Sequence, residues 1–189
     1  MALRGRTLLD LALDRLAEAG AGLVTVHADG DQAPVAALLA ARAAPACALG
    51  DAPPPGGGPL WYINADNVWL DGPMPAMARL RQALTDGLDG VLLVHRGFQV
   101  QAEIGAGDYF VDPLGVPEPR GDRQIAPYID TGVRLMRAAA LGPEGFAAAL
   151  AGGRLRCVVH DGLWFPMGTP EDLEDAELAV AAQVTGPTT

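Results

Sequence analysis

Two hydrophobic periods alternate along the first half of this chain, and that alternation constrains the fold more than any other feature. The β-branched run "GLVTVHA" precedes the Ala/Leu-rich "APVAALLAARAA", "LWYIN" precedes "PMPAMARLRQALTDG", and "GVLLVHR" closes the series. Short continuous apolar runs read as strands buried on both faces, and apolar residues three and four apart read as helices packed on them. Three successive strand and helix units predict an α/β protein whose parallel sheet is covered by helices on both faces. A helix over 8–19 leads in: Thr7 is its N-cap, Asp10 follows three residues on, and Leu9, Leu13, Leu16 and Ala17 recur at helical spacing until Gly20.

The Pro- and Gly-rich residues 45–59 predict a loop. In the second half, "FQVQAEI", "DYFVDP" and "QIAPYIDTGVRLM" predict shorter strands that extend the sheet in an antiparallel or mixed sense. Asp161 and Gly162, between the apolar runs of "RLRCVVHDGLWFPM", are a type I′ hairpin signal. A last helix is expected from Thr169 as N-cap, with Pro170 in its first position and Asp172 closing a capping box. It runs to about residue 183, leaving 184–189 as a frayed tail. At 189 residues, half of them hydrophobic, 1–189 reads as one domain with a real core.

The net charge of -10 argues against nucleic acid and anionic membranes as partners. Two cysteines, without metal-ligand spacing around either, point to a reducing cytoplasm. The N-terminal apolar pattern is interrupted by acids and arginines, so it reads neither as a signal peptide nor as a membrane span. All thirteen basic residues are arginines.

"LWYINADNVW" sets strand-forming apolar residues against Asn64, Asp66 and Asn67. A carboxylate at the end of a buried strand needs a metal, a helix terminus or solvent. Asp66, just after a central parallel strand, is positioned for ligands in the crevice beyond the strand ends. It can give Mg²⁺ one oxygen, the remaining ligands coming from water and substrate phosphates. Equally, Asp66 and Asn67 can simply turn the chain. His27 and His95 follow or end strands; lining the crevice is one reading, but without paired Cys, Asp or Glu spacing they read first as strand-end polar residues. His160, before Asp161 and Gly162, reads as exposed, and Trp164 as either core or binding residue.

In order along residues 5–182, "GRTLLDLALDRLAEAG", "LGDAP...LWYINADNVWLDGP", "GDYFVDPLG", "APYIDTGV" and "GRLRCVVHDGLWFPMGTPEDLEDAE" resemble the sugar-phosphate nucleotidyltransferases, closest to the N-acetylmuramate-1-phosphate uridylyltransferase-like branch. The resemblance implies a Rossmann-like three-layer α/β sandwich with a mainly parallel mixed sheet. It also implies a reaction in which a nucleoside triphosphate and a sugar 1-phosphate give a nucleotide sugar and pyrophosphate. Asn64 and Asp66 fall on the family's strand-end "NGD", whose aspartate binds Mg²⁺. Gly107 and Asp108 fall on a sugar-side "GDF", and Thr131 and Gly132 on a Y/F-x-x-[ST]-G run beside the sugar, although Asp108, Thr131 and Gly132 read also as turn and strand-end residues. Trp164 matches a tryptophan near the sugar.

Three departures accompany the resemblance. The family's opening strand and glycine-rich loop, with its Arg and Lys, have no counterpart. Pro166 stands where the family commonly carries a second metal-binding Asp. The E-x-G-G segment that seats the nucleobase has no matching Glu within 45–59. The expectation is a fold lacking its first strand, with unpaired edges on the neighbouring strands and an upstream polypeptide as a possible completing partner. Impaired or absent turnover follows from the same departures, and the alternative is a non-catalytic nucleotide-sugar or sugar-phosphate binding or regulatory protein.

Overall fold

The structure, a computed structural model, describes residues 1–100 and 105–184. The chain starts with a two-residue hairpin, β1 (Ala2–Leu3) against β2 (Arg6–Thr7). Arg4 and Gly5 turn it, both at positive φ, which is the backbone a type I′ turn requires. Helix α1 (Leu8–Glu18) then begins as its sequence predicts: the Thr7 side chain accepts from the Asp10 amide at 3.0 Å. Strand β3 (Leu23–Val26) and helix α2 (Ala33–Ala40) follow. Next comes β4 (Ala46–Leu49), inside the segment expected to be loop. It pairs in parallel with β3, Val24 opposite Cys47. The prolines and glycines that dominate 45–59 lie on either side of this short apolar run, so averaging over the segment hides it.

Strands β5 (Leu60–Ile63) and β6 (Asn67–Leu70) flank the polar turn 64–66, and α3 (Ala76–Ala83) leads into β7 (Gly90–Arg96). Phe98 and Gln99, which begin the expected strand "FQVQAEI", lie in a 3-10 turn over Gly97–Gln99, and 101–104 lie outside the described residues. Short strands β8 (Tyr109–Val111) and β9 (Pro117–Pro119) precede the nine-residue β10 (Tyr128–Met136). Helix α4 (Pro143–Ala151), with proline at its start, was not apparent from patterning. The chain closes with β11 (Leu155–Val159), β12 (Leu163–Pro166) and α5 (Pro170–Val184). The tail beyond 184 lies outside the described residues.

The main sheet runs β11-β7-β10-β8-β9, with β5 on β10 as well. β10 is antiparallel to both β5 and β7, while β11 is parallel to β7. β5, β7 and β11 therefore point the same way, as the strand and helix alternation implies. The antiparallel β10 is inserted between two of them and is not an addition at the rim. Side chains of β7 alternate: Val91 and Leu93 enter one core with Leu13 and Leu16 of α1 and Leu80 of α3. Leu92 and Val94 enter a second core with Ala149 of α4. All four β7 residues are fully buried, so helices cover both sheet faces and the three-layer α/β expectation holds.

The Asp161 and Gly162 hairpin is not formed. β11 pairs with β7, whereas β12 pairs antiparallel with β6 in a separate ladder. Gly162 packs so tightly on Leu70 O that a Cβ there would overlap it, and the turn hands the chain from one sheet to another. Asp66 does not follow a central strand either, because β5 pairs only with β10 among the described residues. Among the described residues the outer edges of β3 and β5 carry no ladder, yet Val24 and Val26 of β3 share a core with Trp61 and Ile63 of β5. Tyr62 is correspondingly 43% exposed.

Candidate functional site

Three segments distant in sequence meet at the carboxyl end of β5. The Asn64 amide donates to Gly132 O at 2.9 Å, where β10 bulges between Asp130 and Val133. Gly132 has φ +73, and a Cβ added to it would lie 2.8 Å from the Asn64 side chain. Glycine is therefore demanded by both conformation and space. The bulge is pinned from several sides. Asp130 Oδ1 accepts from the Gly132 amide at 2.9 Å and its Oδ2 from Arg134 at 2.6 Å. Thr131 donates its hydroxyl to Leu93 O at 2.8 Å. Asp108 Oδ2 accepts from the Asp130 amide at 2.8 Å, and Gly107, at φ +74, packs on Ala126 O.

The third segment is the end of β12. Asp66 O accepts from the Met167 amide at 2.8 Å, and Pro166 is the ladder partner of Asn67. The buried Asn67 donates its side-chain amide to Asn64 O at 2.8 Å, closing the turn from inside. Asn64 and Asp66 themselves are exposed, so water solves the problem of a carboxylate at this strand end. Among the described residues no three His, Cys, Asp or Glu side chains converge as a metal would need. Pro166, beside Asp66, has no side-chain donor atom. These residues do not fit a resident Mg²⁺.

The sequence-derived candidates thus divide. Asn64, Asp66 and Gly132 come together with Pro166, and Asp108 joins them through Asp130. Thr131 is 2% exposed and its hydroxyl is spent on the Leu93 carbonyl, so it shapes the bulge. Asn67 closes the turn, as its reading as a turn residue expects, whereas Asp130 was not singled out. Both act through short-range hydrogen bonds in a turn and a bulge whose shape depends on non-local pairing.

Trp164 lies in a different wall. It is buried, stacks on His95 with centroids 6.2 Å apart, and borders a cavity of about 540 Å³. His95, Gln99, Pro166, Asp172 and Asp175 also line that cavity, and no arginine does. His95 is nearly fully buried, with Nδ1 3.0 Å from Arg96 O and Nε2 3.3 Å from Gly162 O. His160, expected to be exposed, is 0% exposed. Its Nε2 is 3.1 Å from both Leu70 O and Leu163 O, contacts that exist because the hairpin does not. Burial lowers its pKa. His27 is exposed between Asp51 at 2.6 Å and Asp29 at 3.3 Å. Hydrogen bonding to Asp51 raises its pKa, and its two carboxylates contact different ring nitrogens.

No protein-family model matches this sequence, and no curated protein matches it. Among solved structures, the fold is similar to that of a protein designated a glucose-1-phosphate thymidylyltransferase from Bacillus anthracis, crystallised in complex with sucrose. The TM-score is 0.69 at 14% identity, over 100% of this chain and 87% of that one. The likeness shows the fold alone: a mixed α/β sheet covered by helices on both faces. No helix among the described residues is long and apolar enough to cross a membrane.

Proposed function

We propose that this chain is a sugar-1-phosphate nucleotidyltransferase by descent, with the 64–66 turn as its ligand-facing centre. The observation that carries the reading is the convergence of Asn64, Asp66, Gly132 and Pro166 at one strand end, joined by the Asn64 to Gly132 and Met167 to Asp66 hydrogen bonds. In the proposed reaction, a phosphate oxygen of the sugar 1-phosphate attacks the α-phosphorus of a nucleoside triphosphate in line, and pyrophosphate leaves. Such chemistry asks the protein mainly for positioning and charge stabilisation. The nucleotide enters as its Mg²⁺ complex, so the ion is part of the substrate, and Asp66 supplies it one oxygen. The cavity beside Trp164, bordered by two carboxylates and no arginine, suits the uncharged, hydroxyl-rich part of the sugar. Uridylyl transfer to an amino-sugar 1-phosphate in cytoplasmic cell-wall recycling is the specific form of this proposal.

A second reading is favoured by Pro166. With no carboxylate at that position and no convergent acidic cluster among the described residues, the site is better equipped to hold a nucleotide sugar than to make one. A polypeptide completing the open edges of β3 and β5 would supply missing groups, and those unpaired edges are what supports it as a partner.

Isothermal titration with UTP and Mg²⁺, beside a pyrophosphate-release assay with a sugar 1-phosphate, tests both readings. Binding with turnover is expected of the enzyme and binding without turnover of the binding protein; no binding defeats both for the chain alone. Asp66→Asn is expected to weaken Mg²⁺-dependent binding about tenfold, the loss of one charged contact worth about 1.4 kcal/mol. Unchanged affinity in that variant would remove Asp66 from the site.

A further inference from the structure

One face of α5 forms a wall of the cavity beside Trp164. Asp172, Asp175, Leu178 and Ala179 all border it, three and four residues apart, as the side chains along one side of a helix are. At about 540 Å³ the cavity has the size of a small-molecule site. Pro166 borders it too and is the ladder partner of Asn67, so the cavity adjoins the 64–66 turn.

The polar groups of the lining offer an occupant acceptors and almost no donors. His95 has both ring nitrogens turned to backbone, Nδ1 3.0 Å from Arg96 O and Nε2 3.3 Å from Gly162 O, and Gln99 is neutral. Asp172 spends Oδ2 on the Gly168 and Thr169 amides, which leaves its Oδ1. Those amides are thereby closed to a phosphate at the start of α5. Asp175 has no hydrogen bond or ion pair among the described residues. Three carboxylate oxygens are therefore without a donor. The indole Nε1 of Trp164, a residue only 8% exposed, is buried without a partner, and an orphaned donor in a wall is matched by an oxygen of the occupant. Helix α5 carries five carboxylates and no basic residue, so its field has one sign, and apolar walls such as Phe165 and Leu178 concentrate it in the cavity.

We infer that this cavity selects its sugar 1-phosphate by charge: it takes an amino sugar whose amine is unacylated and held as an ammonium by Asp172 and Asp175, and it rejects a sugar that bears a carboxylate. The inference rests on the nucleotidyltransferase reading above and narrows it. Hydroxyl groups suit such a lining, but an ammonium in place of one of them brings three N–H donors where a hydroxyl brings one. Side chains three apart on a helix are neighbours, so one ammonium meets both carboxylates. The Trp164 ring attracts the same cation, and a sugar oxygen accepts from its Nε1. Phosphate and its Mg²⁺ lie toward Pro166 and Asp66, away from the two carboxylates.

The test compares glucosamine 1-phosphate, glucose 1-phosphate and glucuronate 1-phosphate by isothermal titration of the full chain at pH 7, with Mg²⁺ and α,β-methylene-UTP present so that nothing turns over. The phosphate is common to all three, so the comparison isolates the substituent. Glucosamine 1-phosphate is expected to bind about fivefold more tightly than glucose 1-phosphate, and glucuronate 1-phosphate about fivefold more weakly, the scale of a partly exposed charge pair. Both ratios are expected to shrink at about 0.5 M salt and in Asp175→Asn. Asp175 bonds to nothing else, so the variant is expected to unfold at the wild-type midpoint. The Trp164 indole ¹H–¹⁵N resonance is expected to shift with glucosamine 1-phosphate. Equal affinities, tighter binding of the glucuronate, or ratios unchanged in Asp175→Asn would overturn the charge selection and leave the nucleotidyltransferase reading standing. Binding of the UTP analogue with none of the three sugars would overturn the cavity as a sugar site, and binding of neither would overturn both readings.

Discussion

The Asn64 amide and the Gly132 carbonyl, 2.9 Å apart, join the turn after β5 to the bulge of β10. A methyl group at Gly132 would meet the Asn64 side chain at 2.8 Å and would force an L-residue to φ +73. Gly132→Ala is therefore expected to destabilise the fold by about 1–3 kcal/mol through backbone strain and displacement of the turn. Urea unfolding checks this, with a lower midpoint and an unchanged m-value as the expected signature. A midpoint equal to that of the wild type would show the turn to be adaptable.

Local signals in this chain were legible and non-local ones were not. Thr7 with Asp10, and Thr169 with Asp172, act over three residues, so both helix starts could be read directly. β6 was missed because "NVWL" follows Asp66 so closely that it reads as the end of a turn; its strand character comes from β12, almost a hundred residues on. The same long-range pairing undid the hairpin at Asp161 and buried His160. For the site, Asn64, Asp66 and Gly132 were identified as candidates, and the structure places them together. Thr131 and Trp164 were weaker candidates, each with a structural reading beside it; Thr131 faces the core, and Trp164 packs in the core while bordering a separate cavity, since residue type says nothing of which face a bulge presents.

Arg42 reaches from beyond α2 to Asp10 at 2.8 Å and Asp14 at 2.6 Å on α1, with its own side chain only 14% exposed. Burial pushes the Asp10 pKa up, but hydrogen bonds from Thr7 and Arg42 outweigh it; for Asp14, the Arg42 hydrogen bond dominates. Both carboxyls sit below their ordinary 3.8, so their stabilisation is present above that pH and is lost as pH falls through the folded-state values. Arg42→Met is expected to cost about 1–3 kcal/mol at pH 7, the range for charged hydrogen bonds. The difference from wild type should shrink below about pH 4. Chemical denaturation at pH 7 and pH 3 measures it, and an equal difference at both would assign the loss to packing alone.

At the start of α5 the capping box is complete: the Asp172 amide donates to Thr169 Oγ1 at 3.2 Å, and Asp172 Oδ2 accepts from the Thr169 amide at 2.8 Å. The same carboxylate accepts from the Gly168 amide at 3.0 Å, which ties the helix to the end of β12. Thr169→Ala is expected to cost about 1 kcal/mol and Asp172→Ala more, because the latter frees two amides. Thermal unfolding of the two variants checks the order. Equal losses would mean the Gly168 contact contributes nothing.

His160 gives the fold a weakness in mild acid. Burial holds its folded-state pKa below the ordinary 6.5, so the unfolded chain takes up the proton first. Stability is then complete above about pH 6.5 and falls as pH drops from there toward the folded-state value. His27 has the opposite sign: its pKa is raised, so its contribution is present below 6.5 and is lost as pH rises through the folded-state value. Being exposed, that pair is screened at about 0.5 M salt, where the Debye length is about 4 Å, whereas buried His160 is not. His160→Gln keeps an amide to donate toward Leu70 O and Leu163 O but cannot titrate. In high salt the wild type is expected to lose stability from pH 7 to pH 5, and the variant is expected to show a flatter profile over the same interval. Parallel profiles would place the acid sensitivity elsewhere.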